Sequence, residues 1–168
     1  GVKKDPITAV EWMLRAADQG NAYAQVKYAW MLEKGIGIRQ DYSESAKWYE
    51  KAAEQGLALG QINLSLLLAS GAPGKKDPVN AYKWMRLATK AGNKGAATFL
   101  PTIAAEMTPK QIAQANLLVS KFVARPKIED IPREKPPKTT QFQGKKSRCS
   151  EFLYLVCILR VADPDTNN

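Results

Sequence analysis

Tryptophan returns every thirty-six residues, at Trp12, Trp48 and Trp84, and a fixed period of this length limits a chain's architecture more than any single motif does. Three other registers keep the same spacing: Asp5, Asp41 and Asp77; Ala16, Ala52 and Ala88; Gly20, Gly56 and Gly92. The segments WMLRAADQG, WYEKAAEQG and WMRLATKAG are one element written three times, and NAYAQVKYAWMLEKG and LALGQINLSLLLASG are a second element set between them. Each period therefore holds two helices. A unit of that size cannot bury its apolar face alone, so neighbours must stack.

The punctuation sets the helix ends. Asp5-Pro6 and Asp77-Pro78 put a capping carboxylate before a proline at the first helical position, where the missing N–H costs nothing. Gly20, Gly56 and Gly92 close the tryptophan helices, and Gly35 and Gly71 close the others, as left-handed C-terminal caps. Thr108-Pro109-Lys110-Gln111 reads as a capping box opening a last helix. The spacing predicts helices over 6–19, 22–34, 42–55, 58–70, 78–91, 94–107 and 109–123, with Pro101 bending the sixth.

Ser45-Ala46-Lys47-Trp48-Tyr49 followed by Lys51-Ala52-Ala53-Glu54-Gln55-Gly56 resembles the Sel-1-like repeat, a relative of the tetratricopeptide repeat, over residues 1–123. Ala29, Ser65 and Pro101 depart from it where the family favours glycine. The resemblance implies an all-α fold, a right-handed α-solenoid of helical hairpins, with Met107 to Val123 as a C-terminal cap. Gly1 to Asp5 aligns with the inter-helix loop Gly37 to Asp41, so the chain is expected to open within a repeat of a longer array. The family arrangement also implies that the tryptophan helices form the outer layer and the other helices line a concave face. Counted from the small residues Ala24, Gly60 and Ala96, the resemblance implies that the side chains directed inward are Tyr23, Val26, Trp30, Leu59, Ile62, Leu66, Thr98 and Thr102. Trp12, Trp48 and Trp84, with Gly20, Gly56 and Gly92, are structural positions in this reading.

Composition narrows the chemistry. The 168 residues include no histidine, which removes the commonest general base and metal ligand, and the only cysteines, Cys149 and Cys157, sit near the C-terminus. No Gly-rich phosphate loop or Ser-x-x-Lys pair occurs, so an enzyme, a cofactor and a metal site are not expected. The net charge of +9 is uneven: +6 over residues 1–123, +5 over 124–148 and −2 over 149–168. The stretch 124–148 is rich in proline and basic residues and reads as a linker; 149–168, with the apolar run Phe152 to Leu159, reads as a short buried strand or docking segment. The loop charges Lys3, Lys4, Arg39, Lys75 and Lys76 lack interleaved aromatics and read as solvated rather than as a nucleic-acid strip. No apolar run is long enough to span a bilayer, and nothing resembling a signal peptide precedes the first helix, which leaves bacterial cytoplasm and periplasm or secretion both open.

The function expected from these features is a scaffold or adaptor that binds a partner protein or peptide on the concave face. The alternative is an enzyme-like or glycan-directed protein of the cell envelope. A nucleic-acid binder using the basic arm is a third class, and it would show steep salt dependence.

Overall fold

The computed structural model describes residues 5–125; the basic stretch from 126 and the apolar run Phe152 to Leu159 lie outside the described residues. Seven helices follow one another among them: α1 (Pro6–Asp18), α2 (Ala22–Lys34), α3 (Tyr42–Glu54), α4 (Ala58–Ser70), α5 (Pro78–Lys90), α6 (Lys94–Ala105) and α7 (Pro109–Lys121). The described residues form an all-α solenoid, as the period requires.

The caps read from the sequence at Asp5, Asp77 and Thr108 form, and Asp41, Asn21 and Asn93 add three more. Asp5, Asp41 and Asp77 accept from the backbone N–H groups of Ile7, Glu44 and Asn80, and Asn21 and Asn93 do the same for α2 and α6. The capping box of α7 is complete, with Thr108 and Gln111 each serving the other's backbone. Gly20, Gly56 and Gly92 have φ of 87°, 81° and 86°, a conformation open to glycine and strained for other residues. α6 runs through Pro101 without a break, although the proline ring offers no N–H to the Ala97 carbonyl.

Packing is sequential. Within each hairpin α1 lies on α2, α3 on α4 and α5 on α6; between hairpins α2 receives α3, and α4 receives α5. Gly60 shows how close the approach is: a Cβ there would lie 2.9 Å from the Ala52 Cβ. One core cluster joins Val26, Tyr28, Leu32, Trp48, Tyr49, Leu64 and Trp84; a second joins Tyr82, Met85, Ala96, Ile103 and Ala115. The last helix breaks the sequence of contacts. α7 packs against α5 instead of continuing the series on α6, and the chain then runs back to α3, where the Arg125 backbone N–H donates to the Glu54 carbonyl at 2.7 Å. Phe122 meets Trp84 edge-on, with ring centroids 5.4 Å apart.

Candidate functional site

On α2 the side chains of Tyr23, Lys27, Trp30 and Lys34 recur at intervals of four, three and four, which places them on one face of the helix, and all four are exposed. The other faces are used by the fold: Ala24, Gln25, Tyr28, Ala29, Met31 and Leu32 are buried. Shifted by one period, the same face of α4 carries Leu59, Asn63, Leu66 and Ser70, and that of α6 carries Gly95, Phe99, Thr102 and Glu106. Tyr23 is 68% exposed, Trp30 41%, Leu59 45% and Leu66 42%, so this apolar stripe keeps a large share of its area in water. The stripe changes character along the array, from aromatic with two lysines on α2, through aliphatic on α4, to Phe99 and Thr102 on α6.

Val26 does not belong to this surface. It is 3% exposed within the first core cluster, because three residues from Tyr23 carries it about 60° round the helix, away from the exposed window. Ile62, in the same register, is half-buried against the second cluster. Thr98, also in that register, is exposed. Thr102 lies on the exposed face as expected. The surface also includes two residues that counting from the small residues passed over, Lys27 and Phe99; their thirty-six-residue register through Asn63 was the signal that locates them. Lys27 Nζ stands 5.8 Å from the centroid of the Trp30 ring.

The tryptophans of the outer helices behave differently from one another. Trp48 packs edge-on against Tyr28 of the preceding hairpin at 5.3 Å and is 6% exposed, and Trp84 is 3% exposed. Trp12 is exposed, with Arg15 over its ring at 5.1 Å, because no described helix precedes α1 to cover it. In the sequence it reads as a packing residue; among the described residues it packs on no neighbouring hairpin.

A shallow cavity of about 280 Å³ lies where α7 crosses α5, lined by Glu50, Glu54, Lys83, Trp84 and Phe122 among others. Lys83 Nζ sits 3.9 Å from the Trp84 centroid; burial lowers its pKa, and the nearby Glu50 and Glu54 oppose that effect. The opposed charges offset one another, so the cavity reads as the seam of the α7 dock. Among the described residues no three side chains of His, Cys, Asp or Glu converge as a metal site, and no helix is long and apolar enough to cross a membrane.

Comparison with known proteins agrees with the fold. The chain is similar to a protective antigen present in uropathogenic Escherichia coli strains, whose crystal structure displays an SLR fold, at 27% identity and a TM-score of 0.69, covering 86% of this chain and 32% of that one. It is similar to a Sel1 repeat protein from Oxalobacter formigenes at 31% identity and a TM-score of 0.59, covering 71% of this chain and 51% of that one. The chain thus spans about a third and about half of the length of these two proteins. No match was found among curated proteins. The Sel1 repeat model matches residues 1–21, 22–57 and 58–93, more than half of the chain, and with the hairpin packing described above this places the protein in the Sel1 repeat family.

Proposed function

We infer that the protein is a scaffold that captures a partner protein or peptide along the exposed face of α2, α4 and α6. Proteins of the Sel1 repeat family are in general protein–protein interaction scaffolds. The observation that carries the finer reading is the stripe Tyr23, Trp30, Leu59 and Leu66, four large apolar side chains held in register on α2 and α4 and each left more than 40% exposed. Contiguous exposed apolar area of this kind marks an interaction surface. Tyr23 and Trp30 supply rigid aromatic anchors, which dominate the energy of protein interfaces. Lys27 lies between them on α2, whereas Lys34 is already paired with Glu33 at 2.6 Å, so Lys27 is the cation that would favour an acidic residue in the partner beside its apolar contacts.

The test is selection of peptides from a random library on the full chain, followed by affinity measurement against Tyr23→Ala, Trp30→Ala and Leu59→Ala variants. Loss of about tenfold or more in affinity in these variants supports the surface. Peptides that bind all three variants as well as the parent chain contradict it.

A further inference from the structure

The side chains along the stripe constrain the conformation of whatever they bind. Tyr23 and Trp30 stand seven residues apart on α2, as do Leu59 and Leu66 on α4, which sets each pair two helical turns, or about 10.5 Å, apart. α3 packs on both of these helices. From it the fully buried Tyr49 hydroxyl donates to Glu33 of α2 at 2.9 Å and has the Asn63 amide of α4 beside it, so one side chain ties the two helices together beneath the stripe. Two rows result, one aromatic and one aliphatic, of equal length.

The polar groups on the same face are mostly engaged by the fold. Main-chain N–H and C=O groups in the body of α2 and α4 bond one another. Lys34 is paired with Glu33 at 2.6 Å, Asn63 lies against the Tyr49 hydroxyl, and the Ser70 hydroxyl donates to the Leu67 carbonyl at 2.8 Å. Among the described residues of this face on α2 and α4, that leaves Lys27 and the Tyr23 hydroxyl to meet a ligand. An extended segment brings one N–H and one C=O per residue, which need partners once water is excluded, and two side-chain groups do not serve them. An α-helix arrives with those groups already paired.

We propose that the partner docks as an amphipathic α-helix lying along α2 and α4, between the Tyr23–Trp30 row and the Leu59–Leu66 row. An apolar seam at i, i+3 or i+4, and i+7 repeats over the same ~10.5 Å as the two rows, so large residues of the seam meet all four anchors. Charge selects the flank. Lys27 stands midway in register between the two aromatics, with Nζ 5.8 Å from the Trp30 centroid, and it pairs with an acidic residue on the α2 side of the incoming helix. This inference rests on the stripe being the partner surface and adds the partner's form, a helix with one apolar seam and an acid beside it.

The probe is the set of peptides selected on the full chain from a random library, each about 16 residues long, or four helical turns. A carbon-13-labelled peptide bound to the unlabelled chain is expected to give helical Cα shifts across its seam, and a proline placed at its centre, away from the seam, is expected to weaken binding by about tenfold or more. Lys27 is exposed, so Lys27→Glu keeps the melting curve of the parent chain. This variant is expected to weaken the peptide by about tenfold, and exchange of the peptide's acid for lysine is expected to restore it. Extended shifts, a tolerated central proline, or strictly additive losses from the two charge exchanges each overturn the proposal. An extended peptide that still loses affinity in Trp30→Ala leaves the partner surface standing and removes only the helix; a peptide indifferent to Trp30→Ala removes both. Self-association of the chain that Trp30→Ala abolishes gives the face to a second copy and likewise overturns the proposal.

Discussion

The Ser45 hydroxyl in α3 donates to the Ala29 carbonyl in α2 at 2.8 Å, and one period later the same interface is bridged in the opposite sense, from Ser65 in α4 to the Ala81 carbonyl in α5 at 2.6 Å. Serine and alanine have exchanged sides across equivalent positions, and both hydroxyls are fully buried. Each bond ties a helix of one hairpin to the backbone of the next. The interface therefore needs one hydroxyl at this point and is indifferent to which helix brings it.

That symmetry predicts a compensating pair. Ser45→Ala removes the hydroxyl and is expected to cost about 1 kcal/mol, the net value of a buried hydrogen bond whose acceptor keeps its helical partner. Ala29→Ser alone crowds a site that already holds Ser45 and also destabilises. The double variant reproduces the Ser65–Ala81 arrangement and is expected to recover most of the loss. Urea melts of the four chains in a double-mutant cycle measure this, and a strictly additive result would contradict it.

Glutamine tells a related story. The Gln25 amide donates to the Ala17 carbonyl at 3.1 Å, and its oxygen accepts from Gln55 Nε2 at 2.8 Å. Gln61 repeats the first bond, to the Ala53 carbonyl at 3.2 Å, but its Oε1 is buried without a partner. The position equivalent to Gln55 is Ala91. Ala91→Gln is expected to supply the missing donor and raise stability by about 1 kcal/mol in urea unfolding. An unchanged or lowered midpoint would show that the oxygen is already satisfied in solution.

The tryptophan positions differ because their neighbours differ. Trp48 is buried against Tyr28, so Trp48→Ala is expected to cost about 3 to 5 kcal/mol. Trp12 is 60% exposed, and Trp12→Ala is expected to cost less than about 1 kcal/mol. Denaturant melts at low protein concentration compare them, and equal losses would contradict a structure in which stability is spread over neighbour interfaces.

Most of this architecture is visible in the residues themselves. Spacing alone locates Trp48 and Trp84, and cap chemistry at Asp5, Asp77 and Thr108 sets helix starts to within a residue or two of those observed. Two things are not visible, for physical reasons. Val26 and Tyr23 are both apolar, and which one faces water depends on where the neighbouring helices lie, which a one-dimensional pattern does not encode. The docking of α7 is likewise hidden. Its apolar positions Ile112, Ala115 and Val119 suit any outer helix, and the choice of α5 is completed by Phe122 on Trp84 and by Arg125 at Glu54, contacts formed beyond the helix itself. The exposed stripe was half legible: Tyr23, Trp30, Leu59 and Leu66 follow from the repeat resemblance, whereas Lys27 and Phe99 emerge only once the exposed face is drawn through all three helices.

Trp30→Ala and Trp48→Ala, compared in the same pair of assays, separate partner surface from core. Trp30 is 41% exposed, with Lys27 beside its ring, whereas Trp48 is enclosed. The expected result is a crossing: Trp30→Ala leaves the urea midpoint nearly unchanged and weakens a library-selected peptide by about tenfold or more, while Trp48→Ala lowers the midpoint and leaves the affinity of the folded fraction intact. If Trp30→Ala unfolds the domain, and the refolded material still binds the peptide with the parent affinity, then the exposed stripe is part of the fold and the binding surface lies elsewhere.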